Sequence, residues 1–473
     1  MHRRHYTRNG IKNMINFNPY QYQSKGIEWI IQHPECALLW EMGLGKSVVT
    51  LTAIQELIDE CEISRALVVA PKKVAETTWT TEAAKWSHLK GLRVVKVMGT
   101  EKQRKMALAE KADIYVTGRD NFVWLVGLYG GVLPFNMMVI DELTSFKNSK
   151  SQRFKAMRIA RPSVSRFVGL TGTPAPNGLI DLWGQMYCVD KGVRLGKSVS
   201  KYRESHFETH SRNNIVVRCD VKKGHEDIIR NSIADICLSM QAKDYLQLPD
   251  LMMHTVPVEL SPATMSAYNK FEREKVLEFK QEHEGEPTNI LANSAAGLMN
   301  KLAQFANGAV YDEDRNIHEI HSEKVDKLAE IIEAANGSSV LVFYQFKHDI
   351  PRITKKLKGY RVEVYEGEKQ LLDWNAGKIG VLLAHPASTA YGLNMQQGGH
   401  YIVWFGTGWD LELFQQANAR LHRQGQKHPV TVYKLIGAHT VDERASASLE
   451  NKKVKQQSLL DSLNYLIRKH TNG

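Results

Sequence analysis

Short apolar runs alternate with helix-length stretches in this chain, and the alternation comes twice. From residue 14 to about 180 the runs are "CALLW" (36–40), "RALVVAP" (65–71), "ADIYVTG" (112–118), "MMVIDE" (137–142) and "RFVGLTGTP" (166–174). Between them lie stretches such as "VVTLTAIQELI" (48–58) and "VAETTWTTEAAKW" (74–86), with the 3.6-residue spacing of helices. Near-continuous apolar runs read as strands buried on both faces, and strand–helix–strand units build parallel sheets covered by helices. A second series starts near residue 322: "SSVLVFYQF" (338–346), "YRVEVYEG" (360–367), "IGVLLAHP" (379–386), "HYIVWFG" (400–406) and "VTVYKLIG" (430–437). The expected fold is therefore α/β, with two lobes of parallel sheet and functional loops at the carboxyl ends of the strands.

Between the lobes, from about 185 to 310, the pattern turns polar and mostly helical. "LQLPDLMMHTVPVELSP" (246–262) interrupts it, and its second half reads as a strand. "SPATMSAYNKFEREKVLEFK" then opens as a capped helix, and "EHEGEPTN" (282–289) reads as a surface loop. The expected division is a flexible basic arm over 1–13, a first lobe over 14–185, a helical insertion and linker over 186–320, and a second lobe over 321–440. A C-terminal amphipathic helix over 441–473 packs on the second lobe. The arm "MHRRHYTRNGIKN" lacks the apolar core of a secretory signal, and the patterned sequence starts at Met14, which can be the natural start.

A chain of 473 residues exceeds one ordinary core, and 43% hydrophobic with 24% charged residues describes a globular protein. No apolar run reaches the length that spans a bilayer, so no membrane partner is expected. Cys36, Cys61, Cys188, Cys219 and Cys237 form no C-x-x-C pair, and the histidines form no spaced metal set. That argues against a zinc site or a disulfide framework and fits a reducing, cytoplasmic interior. A formal net charge of +11 favours a polyanionic partner through counterion release.

Chemistry concentrates at three places. "LLWEMGLGKS" (38–47) ends like a phosphate-binding loop, G-x-x-x-x-G-K-[ST], but carries Trp40 where that pattern has its first glycine. Gly43 and Gly45 can turn successive N–H groups of Met42 to Gly45, Leu44 included, toward phosphate oxygens. Lys46 supplies a point charge to the β/γ-phosphates and Ser47 a hydroxyl for Mg²⁺; a plain strand–helix turn is the alternative. "MMVIDEL" ends a strand on Asp141 and Glu142. Asp141 suits a magnesium ion and Glu142 an attacking water, although surface strand ends also carry acids. In "QQANARLHRQGQ" (415–426), Arg420 and Arg423 lie three apart, on one face if helical, with no acid close by. Two guanidinium groups so placed can neutralise a transferred phosphoryl group; a solvated basic helix is the alternative.

Taken in order, these stretches resemble the motifs of superfamily 2 helicases and translocases, specifically the Swi/Snf-like ATPase branch and its compact phage and prophage forms. "YQSKGIEWI" (22–30) is similar to the adenine-recognising element, with Gln23 as its glutamine. "EMGLGKS" is similar to motif I of this branch, which does not keep the first glycine. "LVVAPKKVAETTWTTEAAKW" resembles motif Ia, "VIDELTSFKN" motif II, "GLTGTPAPN" motif III, "VLVFYQF" motif IV, "YGLNMQQGG" motif V and "QANARLHRQGQ" motif VI. The resemblance implies two RecA-like lobes that close on ATP and Mg²⁺ and walk along single-stranded, duplex or branched DNA. It implies ATP-site roles for Gln23, Lys46, Ser47, Asp141, Glu142, Arg420 and Arg423, and a coupling motif at Gly392 and Asn394. Thr171 and Thr173 would relay closure. It also implies a task on forked or branched DNA in replication, recombination or repair, alone or with partner proteins. The alternatives are a duplex translocase that remodels protein–DNA complexes without unwinding, or the motor of a nuclease or restriction system.

Three departures stand out. Motif II reads D-E-L-T, with Thr144 in place of the histidine. The motif V Ser-Thr pair aligns with His385-Pro386, and Ser388-Thr389, three residues on, could substitute as DNA contacts. Ala419 replaces an aspartate beside Arg420. Lys72 and Lys73, after the "LVVAP" strand, are either phosphate clamps or solvated lysines. Trp404, Trp409 and Phe414 are either core aromatics or a stacking surface, with core the better reading for Trp404.

Overall fold

The computed structural model describes residues 14–172, 174–175, 178–212, 215–245, 248–283, 288–389, 393–450 and 455–471. The chain divides into two compact units: residues 1–175, 181–206 and 223–245, and residues 176–180, 207–222 and 246–473. Each unit carries its own parallel sheet, so the α/β reading holds for both.

In the first unit the strands are β1 (Glu35–Trp40), β2 (Ala66–Ala70), β3 (Val94–Val97), β4 (Ile114–Gly118), β5 (Met137–Asp141) and β6 (Arg166–Thr171). After an antiparallel hairpin of β7 (Phe207–Arg212) and β8 (Ile215–Val221), which belongs to the second unit, strand β9 (Cys237–Met240) returns to the sheet. The order is β3-β4-β2-β5-β6-β1-β9, parallel throughout. The inner strands β2, β4 and β6 are buried along their whole length, as expected of strands covered by helices on both faces. The sequence reading missed β3 and β9. Both are edge strands of four residues with partly exposed positions, so neither shows a continuous apolar run. The stretch 186–320, expected to be mostly helical with one strand in 246–262, thus holds further strands beside that one, β10 (Leu251–Val258).

Helix α1 (Gln21–Gln32) buries Tyr22, Gln23, Gly26, Ile27 and Ile30, one face at helical spacing. It packs on α2 (Lys46–Asp59), which follows the glycine loop and buries Val49, Ala53, Ile54 and Leu57.

The second unit's sheet contains β10 (Leu251–Val258), β13 (Val340–Phe343), β14 (Val362–Val364), β15 (Val381–Ala384), β16 (Tyr401–Trp404) and β17 (Val430–Gly437), in the order β10-β17-β16-β13-β15-β14, again parallel. The small antiparallel pair β11 (Ala309–Tyr311) and β12 (Ile317–Glu319) lies outside it. The helix Pro262–Glu282 starts as its sequence suggests: the Ser261 hydroxyl accepts from Thr264 N at 3.2 Å, with proline in the first turn. The C-terminal stretch forms two helices, Val441–Glu450 and Lys455–Thr471. The last one packs on Pro262–Glu282 and Thr288–Asn307 through Val276, Met299, Leu302, Leu463 and Leu466. Among the described residues, no helix is long and apolar enough to cross a membrane.

Candidate active site

Sheet order brings the first unit's motifs together. β5, β6 and β1 are neighbours, with Asp141 opposite Leu170 and Leu39 opposite Thr171. The glycine loop, the acid pair and Thr171 therefore leave the same edge of the sheet side by side.

In the loop, Gly43 and Gly45 have φ of 90° and 80°, the left-handed region that side chains resist. Gly45 starts α2, whose first-turn N–H groups and positive dipole end suit an anion. A Cβ on Gly45 would fall 2.6 Å from Gln23 Nε2. Buried Gln23 accepts from Tyr20 N at 3.1 Å and donates to the Leu44 carbonyl at 3.3 Å, tying α1 to the loop. Trp40 explains the missing glycine. It is the last residue of β1, in extended backbone, so its indole points into the core, where it leaves no room for a Cβ on Gly26. Its carbonyl accepts from Lys46 Nζ at 2.7 Å, and that of Glu41 at 3.2 Å. Met42 touches the 171–172 turn, since a Cβ on Gly172 would meet it at 3.3 Å; Ser47 is half-buried.

At the acid pair, the Asp141 carboxylate accepts from Trp79 Nε1 at 3.0 Å. Burial first, then the neighbouring Glu142 charge, push its pKa up to about 6; the Trp79 bond and Lys46 pull the other way. Glu142 has φ 67°, a left-handed conformation that costs a non-glycine residue roughly 1–2 kcal/mol. One of its oxygens, Oε1, accepts from Thr144 Oγ1 at 2.8 Å and Thr171 Oγ1 at 3.0 Å. Thr173 lies outside the described residues.

The sequence reading missed Trp79. It follows a π-helical turn, Val74–Thr78, of the kind that often marks functional positions. It is fully buried and gives its N–H to an acid 62 residues away, a pairing that no local signal in the sequence announces. Lys72 and Lys73 start this helical segment: Lys72 is exposed, and Lys73 is half-buried with its pKa lowered by burial against the pull of Glu76.

In the second unit, the helix Leu411–Asn418 ends before the arginines. The one-helical-face expectation is therefore corrected: both side chains leave a turn. They still converge. Arg420 donates from Nη1 to the Leu393 carbonyl at 3.3 Å and from Nε to Gln416 O at 2.9 Å. Arg423 reaches the same Leu393 carbonyl at 2.9 Å. Gln426, also missed, staples this turn to the 393–399 segment, donating to the Gln396 and Gly399 carbonyls at 3.1 and 3.0 Å. Asn394 is exposed and its carbonyl accepts from Asn375 at 2.8 Å, while Gly392 lies outside the described residues. Thr389, expected beside Ser388 as a DNA contact, is fully buried with its hydroxyl on the Pro386 carbonyl, so that expectation is withdrawn. Ser388 is half-buried and donates to the His385 carbonyl at 2.7 Å. Trp404, Trp409 and Phe414 are all core residues, and Trp404 donates to Asn418 at 2.9 Å.

The first-unit residues fit a magnesium–triphosphate. Magnesium takes one or two protein oxygens plus phosphate and water, which Asp141 and Ser47 can supply. Among the described residues no group of three or more His, Cys, Asp or Glu could hold a metal by itself. The carboxylate of Asp141, held at a cost by burial, is the kind of group a cation stabilises.

A phosphate loop and an acid pair at the carboxyl ends of parallel strands, with the Thr171 strand between them, define a P-loop nucleoside triphosphatase of the helicase type. The SNF2-related domain model matches residues 22–309 and the helicase conserved C-terminal domain model residues 323–425. This chain belongs to the SNF2-related family of helicase-type ATPases. Protein p41 of Acyrthosiphon pisum secondary endosymbiont phage 1 is 36% identical over 95% of this chain and 99% of its own length. An ATP-dependent helicase of Mycoplasma genitalium is 26% identical over 96% of this chain, which spans 43% of that protein. The SWI2/SNF2 ATPase core of Sulfolobus solfataricus in complex with dsDNA is 24% identical, with coverage of 96% and 97% and a TM-score of 0.45.

Proposed function

We propose that this protein hydrolyses ATP to move along DNA, acting on forked or branched DNA in replication, recombination or repair. The observation that carries the ATPase part is the gathering of Lys46, Asp141, Glu142 and Thr171 at the ends of three adjacent strands. In this reading Gln23 reads the adenine, the 42–45 amides and Lys46 hold the phosphates, and Asp141 with Ser47 holds Mg²⁺, which neutralises phosphate charge. Glu142 takes the proton of the attacking water, and Arg420 and Arg423 stabilise charge on the transferred phosphoryl group. Exposed Lys72, with Lys73 and Ser388, would contact DNA phosphates, which position the track without reading its sequence. The surplus of Lys and Arg over Asp and Glu supports a polyanionic track. The closeness to a phage-encoded relative supports work in a bacterial cytoplasm.

The test is steady-state ATPase across single-stranded, duplex, forked and four-way DNA and RNA, beside strand release from a labelled fork. We expect stimulation by DNA over RNA, largest with forked or four-way substrates, and ATP-dependent strand release. Stimulation by plain duplex without strand release would move the assignment to a duplex translocase; no stimulation by any nucleic acid would end it.

A further inference from the structure

Two buried hydroxyls meet on a single oxygen of the acid pair. Thr144 Oγ1 and Thr171 Oγ1 both donate to Glu142 Oε1, at 2.8 and 3.0 Å, and the two threonines are 3% and 0% exposed. A carboxylate oxygen has two lone-pair directions, so two donors saturate Oε1 and leave Oε2 as the accepting atom. We propose that Thr144 is a positioning residue for ATP hydrolysis: with Thr171 it fixes the Glu142 carboxylate so that Oε2 receives the proton of the attacking water.

Local backbone explains why two anchors are needed. Glu142 has φ 67°, off the direction of β5, and the chain turns at once into the short helical turn Leu143–Phe146, with Ser145 N bonded to the Glu142 carbonyl at 3.0 Å. A long carboxylate leaving a left-handed residue keeps several rotamers unless something holds it. Thr144 supplies one anchor from within that turn and Thr171 the other from the end of β6, the neighbouring strand. The balance is simple: water oxygen bonds the γ-phosphorus as the bond to the bridging oxygen of ADP breaks, and the water's proton passes to Oε2. Misplacing a reacting group by about 1 Å can cost roughly 100-fold, so an anchored base is worth the desolvation of two hydroxyls.

The inference rests on the proposed ATPase reading, and Glu142→Gln tests that reading separately. With saturating DNA, we expect Thr144→Val to lower kcat about 10- to 100-fold, with KM for ATP and fluorescent-nucleotide affinity changed less than about twofold and Tm lowered by no more than the loss of one buried hydrogen bond. Thr144→Ser keeps the hydroxyl and should recover most of the rate; Thr171→Val should resemble Thr144→Val. Wild-type kcat in Thr144→Val overturns the proposal. So does a serine variant no better than valine, or a loss of kcat tracked by equal losses of nucleotide affinity and Tm, which marks a structural role. If Glu142→Gln itself turns over normally, the assignment of the base has failed and not the anchoring alone.

Discussion

The acid pair in the first unit and the arginine turn in the second are held by different kinds of bond. Asp141 and Glu142 are fixed by side chains, those of Trp79, Thr144 and Thr171. Arg420, Arg423 and Gln426 are fixed by main-chain carbonyls, those of Leu393, Gln416, Gln396 and Gly399. Bonds to a carboxylate are charge-assisted and need particular residue types at particular places, at about 1.5–3 kcal/mol each. A carbonyl can be offered by any residue. The first arrangement is thus sensitive to the identity of its partners, and the second to the path of its backbone.

That contrast breaks first at the charged groups themselves. On the proposed reading Lys46→Ala removes the cation that holds the phosphates and should abolish DNA-stimulated turnover, a loss above about 1,000-fold, with weakened nucleotide binding. DNA-stimulated hydrolysis surviving in Lys46→Ala would refute the site. Arg423→Ala should lower kcat by about 100- to 1,000-fold while nucleotide affinity stays within a few-fold, if its charge acts on the transferred group as proposed. Arg420→Ala should match it in kcat and also lower Tm, since Arg420 is buried and its loss leaves the Gln416 carbonyl short of a donor. Equal effects on affinity and kcat at Arg423 would count it with the binding groups.

The same contrast explains what the sequence disclosed. Lys46, Asp141 and the inner strands were legible because glycines, charges and continuous apolar runs are rare in those combinations. Gln23 was legible only through resemblance, because its bond to the Leu44 carbonyl leaves no pattern. Trp79 was hidden because its role rests on a bond to Asp141, 62 residues away, which leaves no local pattern. Leu393 could not have been found, since its side chain is irrelevant to its role. The arginine spacing pointed to convergence for a wrong reason: Arg420 and Arg423 meet through a turn and a shared carbonyl, not through a helical face. β3 and β9 escaped because each has only four residues, with a polar, exposed position that interrupts an apolar run.

Glycines in the two regions sharpen the comparison at a smaller scale. Gly45 and Gly425 have φ of 80° and 93°, so alanine at either should cost roughly 1–2 kcal/mol of stability. At Gly45 the new Cβ also meets Gln23 Nε2 at 2.6 Å and displaces it from Leu44. At Gly425 the nearest atom, Gln396 Nε2, lies at an ordinary 3.5 Å. Gly45→Ala should therefore weaken ATP affinity about 10-fold, one such hydrogen bond in scale, and Gly425→Ala should leave it nearly unchanged. Equal affinity losses in a nucleotide titration would show that backbone strain alone matters.

The smallest expected effect concerns the cost of holding Asp141 ready. Its pKa rises from 3.8 to about 6 in the folded protein, so the fold binds that proton more tightly than the unfolded chain does. Stability is then lost as pH climbs through the window from about 4 to 6, and the full cost is present above it. A shift of this size is worth at most about 3 kcal/mol, and partial solvent access reduces it to about 1–2. Asp141→Asn keeps an oxygen for the Trp79 N–H but carries no charge. In denaturant unfolding with EDTA and no nucleotide, the variant should be the more stable protein by about 1–2 kcal/mol at pH 7.5, and the advantage should vanish near pH 4. With magnesium and ATP the order should reverse, because only the carboxylate gains from the cation. A variant less stable than wild type at pH 7.5 without ligand would mean that Trp79 and Lys46 already compensate the charge, and that the first unit holds its acid without strain.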